Sequence, residues 1–214
     1  MTIQPMGAVV VKVAGVWTAV PHTVATTIDP ETLAGGAFAA ATRYYVYVNV
    51  VAGVITWSVS TTAPDLGYRY KTGDEQYQFI STFYTDSALN LLPYSQSDKT
   101  YVYQNRTPDG LSGAIDGNLV VYRVTASGTQ ALGGAVPIGA RSVNLMALVV
   151  TGGAAFAGAV GPTGANPLNS YFTAPAGSTV SVEFSCALAA GTSIDYAIVA
   201  APTYMDIWVA SFVV

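Results

Sequence analysis

The stretch RYYVYVNVVAGVITWSVSTTAP, residues 43–64, decides the fold. Tyr44, Val46, Val48 and Val50 fall on one face, and Tyr45, Tyr47, Asn49 and Val51 on the other. After Ala52-Gly53 the alternation resumes, with Ile55, Trp57 and Val59 opposite Thr56, Ser58 and Ser60. Period-two alternation of aromatic and β-branched residues belongs to strands. Two such runs on either side of a glycine-containing break predict a β-hairpin, and Pro64 ends its pairing.

After Arg43 this stretch carries no charge, and the whole chain shares that trait. Only 9% of its 214 residues are charged, against about a quarter in an ordinary soluble protein. A hydrophobic fraction of 51% and a mean hydropathy of +0.43 raise the question of a membrane span. The longest uncharged stretch, Ser142 to Val182, is broken by Thr151-Gly152-Gly153, Gly161-Pro162-Thr163-Gly164 and Asn166-Pro167. A spanning helix needs about 20 unbroken apolar residues, and irregular backbone facing lipid leaves its polar groups unpaired. The strands also lack the steady length and aromatic girdles of an outer-membrane barrel. No membrane span is expected. The N-terminal apolar run places Lys12 inside itself rather than ahead of it, unlike a signal peptide. With Cys186 as the single cysteine, no disulfide framework exists, so assembly in a cytoplasm is expected. A net charge of −4 argues against a nucleic-acid partner. Low charge without a membrane points to an oligomer or larger assembly, where neighbours cover surface that charge would otherwise keep soluble.

Outward from the hairpin, Val9 to Ala14 and Val16 to Val20 read as short strands around Gly15. Asp29-Pro30-Glu31-Thr32-Leu33 reads as a helix start, with Asp as N-cap and Pro at the first helical position. Gln76 to Thr85 and Lys99 to Gln104 are further strands, and NRTPDGLSGAIDGN, residues 105–118, is the best linker. Many short strands with Gly/Pro turns follow. The expectation is an all-β, antiparallel β-sandwich architecture in two β-rich domains, residues 1–111 and 112–214, with one short helix near residues 30–35.

Catalytic chemistry is poorly supplied. His22 is the single histidine and reads as a solvent-facing turn residue beside Pro21. Cys186 reads as a small core residue, since nothing basic adjoins it. Asp74-Glu75 with Asp65 or Asp86 lacks the ligand spacing of a calcium loop, and no zinc-type spacing occurs. No catalytic residue, metal or cofactor is expected. Fourteen tyrosines are the better lead. Each offers an apolar ring with a hydroxyl tip, suited to core and interface packing and also to stacking on sugars.

The order Tyr44-Tyr45-Val46-Tyr47, Ser60-Thr61-Thr62-Ala63-Pro64-Asp65, Phe83-Tyr84-Thr85-Asp86, Leu91-Leu92-Pro93-Tyr94 and Tyr101-Val102-Tyr103 resembles a β-module of tailed-bacteriophage and prophage virion proteins, including tail-fibre and head-decoration components. The resemblance covers roughly residues 16–106 and is structural, without a catalytic signature. It implies a non-enzymatic virion part, commonly a homotrimer, whose partners are copies of itself and a phage capsid or tail protein. On that reading residues 1–111 dock or trimerise, residues 112–214 project outward, and Tyr44, Tyr45, Tyr47 and Trp57 pack at the interface. A fibre-tip adhesin gripping a host surface glycan is the alternative, and a polysaccharide depolymerase ranks third.

Overall fold

The computed structural model describes residues 2–5, 7–13, 15–28, 37–65, 67, 69–86, 89, 91, 94–97, 99–103, 119–164, 170–188, 192–200 and 202–214. The chain is all-β, with antiparallel pairing throughout and no helix among the described residues. The helix expected near residues 30–35 lies outside them. Two compact units divide at Leu91/Leu92.

Unit 1 contains β1 (Thr2–Ile3), β2 (Gly7–Val13), β3 (Val16–His22), β4 (Thr26–Thr27), β5 (Arg43–Val51), β6 (Val54–Ser60), β7 (Tyr70–Lys71) and β8 (Asp74–Tyr84). Its main sheet has the order β6-β5-β8-β7, while β2-β3 and β1-β4 form separate two-stranded ribbons. The expected hairpin is β5-β6. Val51 pairs with Val54 across Ala52 and Gly53, whose φ values of 50° and 80° are the left-handed pair that a two-residue turn demands. On one face of this sheet, Tyr44 stacks on Phe83 with centroids 5.3 Å apart, and Trp57 receives the His22 ring edge-on at 5.2 Å. On the other, Tyr47 packs on Phe79, and its hydroxyl donates to Thr62 O at 2.7 Å, pinning the segment after β6.

A side chain does the work of a strand where β2 meets β8. The Gln78 amide, oriented to satisfy both contacts, donates to Val10 O at 2.8 Å and accepts from Lys12 N at 2.5 Å. A carbonyl and an N–H two residues apart are what one rung of a parallel ladder engages. Gln78 is buried, so both of its polar ends depend on these bonds.

Unit 2 contains β9 (Tyr94–Ser97), β10 (Thr100–Tyr103), β11 (Leu119–Val124), β12 (Gly128–Ala131), β13 (Ser142–Val150), β14 (Phe156–Pro162), β15 (Ser170–Ala174), β16 (Thr179–Ala187), β17 (Ser193–Ala200) and β18 (Tyr204–Val213). One sheet runs β16-β13-β18-β10-β9 with β11 also on β18, and the other runs β12-β17-β14-β15, giving a β-sandwich. Along β13, Val143, Leu145, Ala147 and Val149 are fully buried and alternate with more accessible residues, the mark of an inner face. Phe172 of β15 stacks on Phe184 of β16 at 5.8 Å and joins the two sheets. On the opposite face Asn144 donates to Ser211 Oγ at 2.7 Å and accepts from Ser185 Oγ at 2.5 Å, a polar rung across three strands.

The composition-based division near residue 112 therefore falls later than the structural one. Tyr101 pairs with Phe212 of β18, and their rings stack at 4.8 Å, which places β9 and β10 in unit 2. Sequence distance hid that pairing.

β18 also holds the most deeply buried of the described acids. Asp206 is 0% exposed; Oδ1 accepts from Arg123 N, and Oδ2 has no hydrogen-bond partner among the described residues. That bond secures an irregularity in the β11–β18 pairing, where Arg123 sits at a left-handed φ of 47°. Burial pushes the Asp206 carboxyl above its ordinary 3.8, outweighing the Arg123 N–H and charge that pull it down. A raised folded-state value means the folded chain holds the proton more tightly than the unfolded one. This contribution to stability is complete below the unfolded value and is lost as pH rises through the folded one.

Two outcomes follow for stability. Gln78→Leu keeps the volume but leaves Val10 O and Lys12 N unmet, and lowers unfolding free energy in urea by about 1–3 kcal/mol. Asp206→Asn flattens the fall in stability on raising the pH above about 3.8, so the variant's advantage over the native chain widens between acid and neutral pH in parallel urea titrations.

Candidate assembly surface

The four residues expected at an interface lie in the chain's own core. Tyr44, Tyr45, Tyr47 and Trp57 are 3%, 4%, 0% and 9% exposed. Phe38 and Phe83 pack on Tyr44, Phe79 packs on Tyr45 and Tyr47, and His22 packs on Trp57. The Tyr44 hydroxyl accepts from Ala39 N at 2.6 Å. Too little of these rings remains for a second chain to touch. Alternation shows which side chains share a face; it does not show that both faces of β5 are covered.

His22 is also a correction. It is buried rather than solvent-facing, with Nε2 3.1 Å from Thr26 Oγ1 and Nδ1 without a hydrogen-bond partner among the described residues. It closes β3 opposite Gly7, with its ring set edge-on to Trp57. Cys186 is buried on β16 as a small core residue, and desolvation pushes its thiol upward, away from the reactive thiolate. Asp65 is used locally. Partial burial pushes its carboxyl up, but the N–H groups of Arg69, Tyr70 and Gly67 and the Arg69 charge together hold it below its ordinary value. Its Oδ1 accepts from Arg69 N at 2.7 Å and Tyr70 N at 3.2 Å, closing the turn into β7. Among the described residues no three His, Cys, Asp or Glu side chains converge as a metal-holding set. No helix among them is long and apolar enough to cross a membrane.

One exposed apolar surface lies on the β2-β3 ribbon. Val9 and Val11 point inward and are buried, so their neighbours Val10 and Lys12, with the register partners Ala19 and Trp17, point outward. Val10 and Trp17 are each 57% exposed, and Ala8, Ala19 and Pro21 beside them are exposed too. Lys12 is the one charge in this ribbon; it lies 3.9 Å from Glu75 and over the Tyr70 ring.

The free edge of β3 follows from the same register. Val10 O and Lys12 N face away from β3, toward Gln78. In an antiparallel ladder register partners both face inward or both face outward. The backbone N–H and C=O of Trp17 and Ala19 therefore point away from β2. Pro21, two residues on, occupies a position where no N–H is needed for the ladder. Among the described residues no strand pairs with this edge. Exposed edges usually carry lysine, bulges or short strands that block pairing, yet β3 is seven residues long and has no Lys, Arg, Asp or Glu.

Unit 1 also has a cleft of about 400 Å³ whose lining includes Ser58, Ser60, Thr61, Lys71 and Tyr77. The Lys71 ammonium sits over the Tyr77 ring, 5.3 Å from its centroid. Compared with known proteins, the sequence matches no family model and no curated protein.

Trp57→Ala separates core from interface. The substitution costs about 3–5 kcal/mol of unfolding free energy, and the loss is the same at low and high protein concentration when denaturation is followed by circular dichroism. An interface residue would show a loss that depends on concentration.

Proposed function

We propose that this protein is a non-enzymatic structural subunit of a bacteriophage particle exterior, assembling as a homo-oligomer, with a trimer as the leading arrangement, on a capsid or tail partner. The observation that carries the assembly reading is the uncharged free edge of β3, flanked by the outward side chains of Val10 and Trp17. Such an edge offers an N–H and a C=O at both Trp17 and Ala19, and association satisfies them while removing apolar area from water.

The phage assignment rests on the module resemblance across residues 16–106. A chain with a single, buried cysteine also suits a particle built in a reducing cytoplasm. The interface differs from the one first expected: the tyrosines build the subunit, and the β2-β3 ribbon joins subunits.

Ala19→Lys places a charge on the outward face of β3, opposite Val10, without touching the core, because Ala19 is exposed. The native chain runs as an oligomer at micromolar concentration by size-exclusion chromatography with light scattering. The variant runs as a monomer, with its urea midpoint at high dilution unchanged. A native chain that remains monomeric under those conditions sinks the assembly reading. Failure of the native oligomer to bind purified particles of a phage encoding it sinks the virion reading.

A further inference from the structure

We infer that the Lys71 cleft of unit 1 is a binding site for an acidic carbohydrate, a sugar carrying a carboxylate. This goes beyond the assembly reading and does not depend on it. The cleft, at about 400 Å³, falls within the range of small-molecule sites, roughly 300–1,000 Å³.

Its polar groups are unevenly committed. Ser60 Oγ already accepts from Thr62 N at 3.1 Å, and Thr42 Oγ1 donates to Ala40 O at 2.8 Å. The hydroxyls of Ser58 and Thr61 have no hydrogen bond among the described residues, and the half-buried Lys71 has no ion-pair partner among them. Tyr77 holds the ammonium in place through its ring but supplies no negative charge. An arriving anion therefore meets an ammonium that no carboxylate among the described residues already pairs.

The composition of the lining selects the class of anion. Phosphate groups are commonly cradled by arginine forks, several cations, or glycine-rich runs of backbone N–H groups. Among the described residues this lining has a single cation, Lys71, and no arginine, which matches the single charge of a carboxylate. The uncommitted hydroxyls of Ser58 and Thr61 both donate and accept, as sugar hydroxyls require.

The test uses the full-length chain and three probes: trigalacturonate, the neutral trisaccharide maltotriose, and inorganic phosphate. Backbone amide NMR titration is expected to shift the signals of Ser58, Thr61, Lys71 and Tyr77 with trigalacturonate. Maltotriose binds more weakly by about 10-fold, the worth of one charge-assisted hydrogen bond. Lys71→Met removes that difference between the two saccharides, Lys71→Arg restores most of it, and both variants keep the native oligomeric state. No shift at these residues with trigalacturonate overturns the site, whatever the Lys71 variants do. Equal binding of the two saccharides overturns the role of Lys71. Phosphate alone reproducing the trigalacturonate shifts at equal concentration overturns the sugar class.

Discussion

A strand covered on both faces has no place for an ionised side chain, and two strands of this chain are in that position. In β5 the five residues from Tyr44 to Val48 are all buried, and in β18 the eight from Met205 to Phe212 are. Alternation normally gives a strand one wet face, where charge is free. Here that outlet is closed at the centre of each unit. Asp206, the one acid within these two buried runs, shows what an exception costs: its carboxyl is pushed toward the neutral form. The scarcity of charge is thus partly an internal matter, set by how each unit fills its own core.

The sequence was legible where structure is local. Ala52-Gly53 and the alternation around it gave the β5-β6 hairpin, and the run from Gln76 anticipated most of β8. Face-sharing was legible too, since Tyr45 and Tyr47 do lie opposite Ser60 and Ser58. Two things were not legible. Whether a face meets solvent, a second chain or the same chain is a tertiary fact, so alternation points the β5 tyrosines outward and the turn sequence points His22 to solvent, although all lie in the core. Strand pairing across long separations is equally silent, so β9 and β10 fell on the wrong side of the division. The exposed β3 ribbon did have a signal, the uncharged run VWTAV, but nothing in it distinguishes an open edge from a buried strand.

The proposed function draws on this division of roles. The aromatic residues give unit 1 a rigid interior, with Gln78 fastening the β2-β3 ribbon to the sheet. A rigidly held ribbon is a better docking element than a loose one, because less freedom is lost when it pairs. The Lys71 cleft draws on different residues of the same unit, so the proposed attachment between subunits and the proposed capture of a small ligand do not compete for side chains.

The position of β18 also has a consequence in time. It forms the meeting line for β10, β11 and β13, so that Thr100 and Ser142 both find their partner at Val213. Closing such wide loops is slow, while unit 1 gains its hairpins from neighbours along the chain. During synthesis β13 can pair with β16, but its uncharged β18 side stays open until β18 emerges. Crowding by nascent copies is most dangerous in that interval, and a chaperone that shields β13 until β18 arrives would raise the yield of folded protein.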